Sequence, residues 1–304
     1  MHTKAFPYII LLSLFWGTNI VASRFGIGEF NPYLFIVLRL SIATLFFIPF
    51  LFLTGKGLPR DRSVWAHAAL SGFLGVSIPM TSFILSLQYQ SSGVASIYVT
   101  AAPAIIVVVA HFFLPDEKLT RLKGLGVLLA LAGSLFLVLS GESGLADVSR
   151  ANPLGFILVI TGLIVESGNT VLVRRRMQAM DGQQVTAIRL LTAAIIVLIL
   201  ALFVGEFDFS RVTAAGYFSL FYAGLIGALA GQFTAFYIQR RFGATAFSLT
   251  SYLIPVVAIV AGVVFLDELF TWPMLFGIVM IGGGIYLINR RQPEAASVTP
   301  ASAD

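Results

Sequence analysis

The chain has 304 residues, of which 58% are hydrophobic and only 11% charged, against about a quarter charged in a soluble domain. That composition excludes a water-soluble globular protein, which would lack the polar surface to stay dissolved. The net charge of +5 does not signal nucleic-acid binding, because the basic residues sit in short clusters between apolar runs and form no stripe with interleaved aromatics.

Apolar runs long enough to cross a bilayer, for which about 20 residues are needed, recur through the whole chain. The sequence predicts ten helices, over 6–24, 33–54, 64–88, 92–114, 122–140, 153–173, 183–204, 213–237, 244–265 and 273–289. The first of these, led by Lys4 and closing in the small residues VAS, also has the shape of a cleaved leader. Its counterpart at the start of the second half of the chain favours a retained helix. The last thirteen residues, 292–304, are polar and proline-containing and read as a disordered tail.

Counting basic residues in alternate loops sets the orientation. Lys4, Lys56, Arg60, Arg62, Lys118, Arg121, Lys123, Arg174, Arg175, Arg176, Arg240, Arg241, Arg290 and Arg291 fall on one side. Only Arg24, Arg150 and Arg211 fall on the other, so the positive-inside rule places both termini in the cytoplasm. The remaining two, Arg39 and Arg189, lie within spans.

The chain also repeats itself. Residues 81–138 align with 234–288 at an offset of 151 to 153. Pro103 stands against Pro255, Glu117 against Glu268, Gly126 against Gly277 and Gly133 against Gly284. Earlier, Gly17 pairs with Gly168, Arg39 with Arg189, and Gly72 and Gly75 with Gly224 and Gly227. The halves run over 1–142 and 150–291. Five spans is an odd number, so the two copies are expected to be inverted across the bilayer, the arrangement of an alternating-access transporter.

The segments FWGTN in the first helix, PYLFIVLRL and TAIRLL with their single arginines, VTAAPA and SYLIPV with their prolines, and DEKLT matched by DELFT carry a further likeness. With these features in this order, the sequence resembles the EamA branch of the drug/metabolite transporter superfamily over residues 6 to 290. The resemblance implies a ten-helix exporter of amino acids, other metabolites or toxic compounds, without fixing which. The second copy departs from the first at its opening, where ESGNT replaces FWGTN.

Several in-span residues are candidates for the working site. Glu166 is the acidic side chain set well inside a span. A charge there costs on the order of 2.5–3.5 kcal/mol, so it is expected to face a cavity and a partner. It is either a proton or cation site or a structural carboxylate paired with an arginine. Trp16 and Asn19, three residues apart on one helix face, and Asn169 and Gln232 are further cavity candidates.

Pro103 and Pro255 fall at mid-span and are predicted hinges, freeing the carbonyls of Val99 and Ser251. The polar residues beside them, Tyr98 and Thr100 in one bend and Thr250 and Tyr252 in the other, are predicted to line the substrate cavity. Arg39 is expected to pair with Glu268 and Arg189 with Glu117. The competing account makes the two glutamates first-turn acids of the fifth and tenth helices. Either arginine could instead hold a substrate carboxylate.

The three histidines, His2, His67 and His111, are too scattered for a metal site, no cysteine is present, and no cofactor motif is readable. The expected function is a secondary transporter of a small organic metabolite, an exporter of amino acids or related compounds, multi-pass in a bacterial inner membrane. It is expected to act as a monomer or weak homodimer, with protons as a candidate coupling ion. No GxxxxGK[ST] loop is present to use ATP. The alternative is a membrane enzyme acting on lipid or prenyl groups, but its acidic pairs at 116–117 and 267–268 are predicted on opposite faces of the bilayer.

Overall fold

A computed structural model describes residues 2–114, 118–148, 151–204 and 207–289, and these contain helices and no strand. Helix α1 spans His2–Glu29 and α2 Pro32–Leu53. The third crossing is built from α3 (Arg62–Gly72), a π-helical segment (Phe73–Ser77) and α4 (Ile78–Ser86). The fourth is α5 (Ser92–Thr100) followed by α6 (Ala102–Phe113), and the fifth is α7 (Arg121–Leu139).

In the second half, α8 spans Pro153–Arg176 and α9 Gly182–Val204. Helix α10 (Ala214–Tyr222) leads through a second π segment (Ala223–Ala230) into α11 (Gly231–Ser248). Helices α12 (Thr250–Leu266) and α13 (Trp272–Asn289) complete the described chain. Nine of the described helical runs are long and apolar enough to cross a membrane, and the 17-residue α12 is a shorter apolar helix. At about 1.5 Å per residue α12 still covers most of a hydrocarbon core.

Large apolar side chains such as Leu45, Leu128, Leu202 and Phe203 are exposed on the outside, as a lipid-facing surface requires. Lipid tails are as apolar as leucine, so close packing rather than water exclusion must hold the helices together. Glycine supplies that closeness where α7 crosses α13: a Cβ on Gly126 would stand 2.5 Å from the Gly284 carbonyl oxygen. The hydroxyls of Ser13, Ser23 and Thr44 donate to the carbonyl four residues earlier, which satisfies them without water.

Two boundaries differ from the expectation. The segment around 239–243, predicted as a loop, lies within α11. Gly231 and Phe247 nevertheless both abut Trp16, the latter ring edge-on at 6.0 Å. A straight helix would hold residues sixteen apart about 24 Å from each other, so α11 doubles back between them. Helix α12, the main part of the ninth crossing, begins at Thr250, not at 244, after a one-residue break at Leu249.

The prolines act differently from one another. Pro103 sits in the first turn of α6, after a break at Ala101. Pro255 lies inside an unbroken α12. The predicted tail, 292–304, lies outside the described residues.

Candidate functional site

The two π segments occupy matched positions; Gly72, immediately before the first, and Gly224, within the second, each abut the arginine-bearing helix of the other half. A Cβ on Gly72 would meet the Arg189 carbonyl oxygen at 2.8 Å, and one on Gly224 would meet that of Arg39 at 3.3 Å. One turn further, Gly75 abuts the Asn169 amide and Gly227 abuts the Asn19 amide. The same contact is therefore made twice: glycine of one half, asparagine and arginine of the other. π-helical turns in longer helices commonly mark functional sites. Here the glycines let backbone approach two buried polar side chains.

Between these contacts lies a cavity of about 400 Å³, within the range of small-molecule sites. Its polar lining is Asn19, Arg39, Glu166, Thr186, Arg189 and Gln232, and its apolar lining includes Trp16, Ile20, Leu40, Met80 and Phe83. The exposed lining side chains, Glu166 and Gln232, lie in the half of the bundle toward the loops that bear Lys56 and Arg174. Trp16 and Asn19 share the cavity face, as their spacing predicts.

Four polar side chains in and beside this lining are incompletely satisfied. Asn19 is 9% exposed and its Oδ1 has no partner, and the same holds for the Oδ1 of buried Asn169 and the Nε atoms of Arg39 and Arg189. Arg39 Nη1 donates to Ser23 Oγ at 3.0 Å, and Arg189 Nη2 reaches the Gly75 carbonyl at 3.5 Å. Glu166 and Arg189 both line the cavity. Among the described residues they do not close to ion-pair distance; Lys56 with Asp181 does.

The expected Arg39–Glu268 pair is not made. The Glu268 carboxylate instead accepts from the Ser92 N–H at 2.8 Å, the Ser92 hydroxyl at 2.6 Å and the Gly93 N–H at 3.3 Å. Those are free donors at the start of α5, where a carboxylate is favoured by the helix dipole. Glu268 therefore caps neither of the helices that the competing account named. The partner expected for Arg189, Glu117, lies outside the described residues.

The polar residues beside the prolines are also placed differently. Tyr98 is 2% exposed and packs edge-on against Phe156 at 5.2 Å. The Thr250 hydroxyl donates to the Phe247 carbonyl at 2.7 Å, and the Thr100 hydroxyl to the Ser96 carbonyl at 2.8 Å. Tyr252 packs toward Gly282. Only their neighbours Val99 and Ile254 reach the cavity. Tyr98, Thr100, Thr250 and Tyr252 themselves are not among the residues that line it.

At the far end from the basic loops, hydrogen bonds join the ends of the helices. The Ser91 N–H donates to the Ser143 carbonyl at 2.8 Å and the Leu269 N–H to the Gly144 carbonyl at 2.9 Å. Glu29 accepts from the N–H and hydroxyl of Thr213, both at 2.8 Å. Among the described residues, no three His, Cys, Asp or Glu side chains converge as a metal site would require.

Comparison with known proteins agrees with this architecture. A model of the EamA-like transporter family matches residues 3–139 and again 153–290. An uncharacterized inner membrane transporter of Escherichia coli K12, YedA, is 25% identical over 98% of this chain and 97% of its own length. An uncharacterized transporter of Bacillus subtilis, YoaV, is 25% identical over 92% and 94%. A solved crystal structure superposes with a TM-score of 0.64 at 20% identity, covering 94% of this chain and 95% of that one. This last likeness speaks to the fold alone.

Proposed function

The chain belongs to the EamA-like transporter family, and on that premise we propose that it is a secondary transporter that exports a small organic metabolite, an amino acid or related compound. The observation that carries the proposal is the cavity lined by Asn19, Arg39, Glu166 and Arg189, polar groups held in an otherwise apolar bundle at a cost that only a function repays.

Alternating access supplies the mechanism. The glycine, asparagine and arginine contacts recur in both halves, as inverted repeats that rock about a shared site would make them. The hydrogen bonds at Ser91, Glu268 and Glu29 would close one end while Glu166 and Gln232 face the other. With the basic loops cytoplasmic, this is the state that loads from inside a bacterial inner membrane. Glu166 is the candidate proton carrier, since it is accessible from the open side and faces Arg189.

Liposomes containing the purified protein test this reading. Uptake of phenylalanine and of phenylacetate is measured with and without a pH gradient, in wild type and in Glu166→Gln. The account expects protein-dependent, saturable flux whose response to the gradient disappears in Glu166→Gln while exchange persists. No flux of either probe counts against transport of this class, and an unchanged pH response in the variant removes Glu166 from coupling.

A further inference from the structure

Arg39 is the cavity-lining cation without a facing carboxylate among the described residues. It is 6% exposed and is one of the residues that line the cavity. Of its five N–H donors, one is used, toward Ser23 Oγ at 3.0 Å, and Nε has no partner. The Ser23 hydroxyl is itself committed as a donor to the Asn19 carbonyl at 2.8 Å. Glu268, the acid in matching register, is satisfied elsewhere by Ser92 and Gly93.

Charge in this cavity therefore does not balance. Glu166 offsets Arg189, and Arg39 remains as one net positive charge in a bilayer interior where an unpaired charge is costly. A species with a single negative charge restores neutrality, whereas a zwitterion leaves the excess in place. A planar carboxylate fits the guanidinium fork with two parallel hydrogen bonds. Ile20, Leu40 and Phe83, in the same lining, offer an apolar wall to the rest of the molecule.

We propose that Arg39 anchors the carboxylate of a singly charged organic acid with an apolar body, and that an ammonium group on the ligand is not required. This rests on the transport reading and narrows its substrate class from amino acids toward related monocarboxylates.

The test is binding to purified wild-type protein at neutral pH by isothermal titration, using phenylacetate, phenylacetamide, phenylalanine and chloride as separate probes. Phenylacetate is expected to bind at least about tenfold more tightly than phenylacetamide, the scale of one charge-assisted hydrogen bond, and no less tightly than phenylalanine. Arg39→Gln should abolish that preference and Arg39→Lys should retain only part of it, with size-exclusion and thermal unfolding confirming that each is folded. The wild-type comparison stands whether or not the variants fold.

Equal binding of the acid and its amide, no binding of phenylacetate, displacement of phenylacetate by equimolar chloride, or an unchanged preference in folded Arg39→Gln would each overturn the assignment. Phenylacetate that binds but does not cross liposomes would remove the transport reading and leave the anion site standing. Liposome flux of phenylacetamide at the phenylacetate rate would do the reverse.

Discussion

The Thr100 hydroxyl lies 3.4 Å from the Ser251 carbonyl oxygen, the acceptor that Pro255, four residues on, has no N–H to satisfy. The single hydroxyl proton is given chiefly to the Ser96 carbonyl at 2.8 Å, so one half of the chain offers only a shared, longer contact to the acceptor that a mid-span proline leaves open in the other. Thr100→Val keeps the shape and deletes the donor. We expect it to lower the unfolding free energy by about 0.6–1.5 kcal/mol, the range of buried hydrogen bonds in bilayers, with Thr100→Ser retaining most of it. Denaturant unfolding in mild detergent measures this, and equal stability of the valine and serine variants would show the contact to be idle.

Gly227 and Gly75 are the walls against which Asn19 and Asn169 rest. Gly227→Ala is expected to displace Asn19 and cost about 1–3 kcal/mol, as overpacking does. Adding Asn19→Ala should relieve part of that cost. Gly168→Ala, where nothing lies within 4 Å, serves as the tolerated control. Thermal unfolding of the set decides it, and equal loss at Gly168 and Gly227 would refute the close approach.

These glycines mark what the sequence does and does not disclose. Span number and approximate limits follow from hydrophobic length alone, because lipid imposes it. The matched offsets of Gly72, Gly75, Gly224 and Gly227 are also visible, but they read there only as packing. Trp16, Asn19, Glu166 and Gln232 are legible as lining because they are polar or aromatic side chains deep in a span, but the rest of the lining is not, because helices that are apolar all round have no stripe to say which face turns inward. That is why Tyr98 and Thr250 are predicted as lining and found in the packed interior. Glu268 takes its partner from α5, more than 170 residues away in sequence, a pairing that the packing of α12 on α5 decides.

Glu268 holds three donors at the start of α5. Glu268→Ala leaves them unmet and is expected to cost about 0.5–2 kcal/mol, as loss of an N-terminal cap does. If this contact helps close the end of the bundle opposite the basic loops, the variant should also raise the labelling rate of a cysteine placed at Val94 by a membrane-impermeant thiol reagent. Labelling no faster than in Glu268 protein would separate the cap from any gate.

Lys56 and Asp181 bridge the loop after α2 and the loop before α9. The Lys56 ammonium, with help from backbone N–H groups of Gln183 and Gln184, holds the Asp181 carboxyl below its ordinary value. A carboxyl lowered in the folded state contributes stability above its unfolded value, about 3.9, and loses it as pH falls through the folded value. Both side chains are partly exposed, so the pair is worth about 0–1 kcal/mol. Lys56→Met should lower the midpoint of thermal unfolding slightly at pH 7, with the difference from wild type shrinking below about pH 4. A difference that grows on acidification would contradict this sign.

The central claim is that the cavity between Asn19, Arg39, Glu166 and Arg189 is the transport path, and the natural absence of cysteine allows a direct measurement. A single cysteine is placed at Gln232, in the lining, or at Leu202, which is 65% exposed on the outside of the bundle. Uptake of phenylacetate and of phenylalanine into liposomes is then measured before and after each is modified by a bulky thiol reagent. Modification at position 232 is predicted to stop flux and modification at 202 to leave it unchanged. Undiminished flux through protein fully modified at 232 would contradict the account.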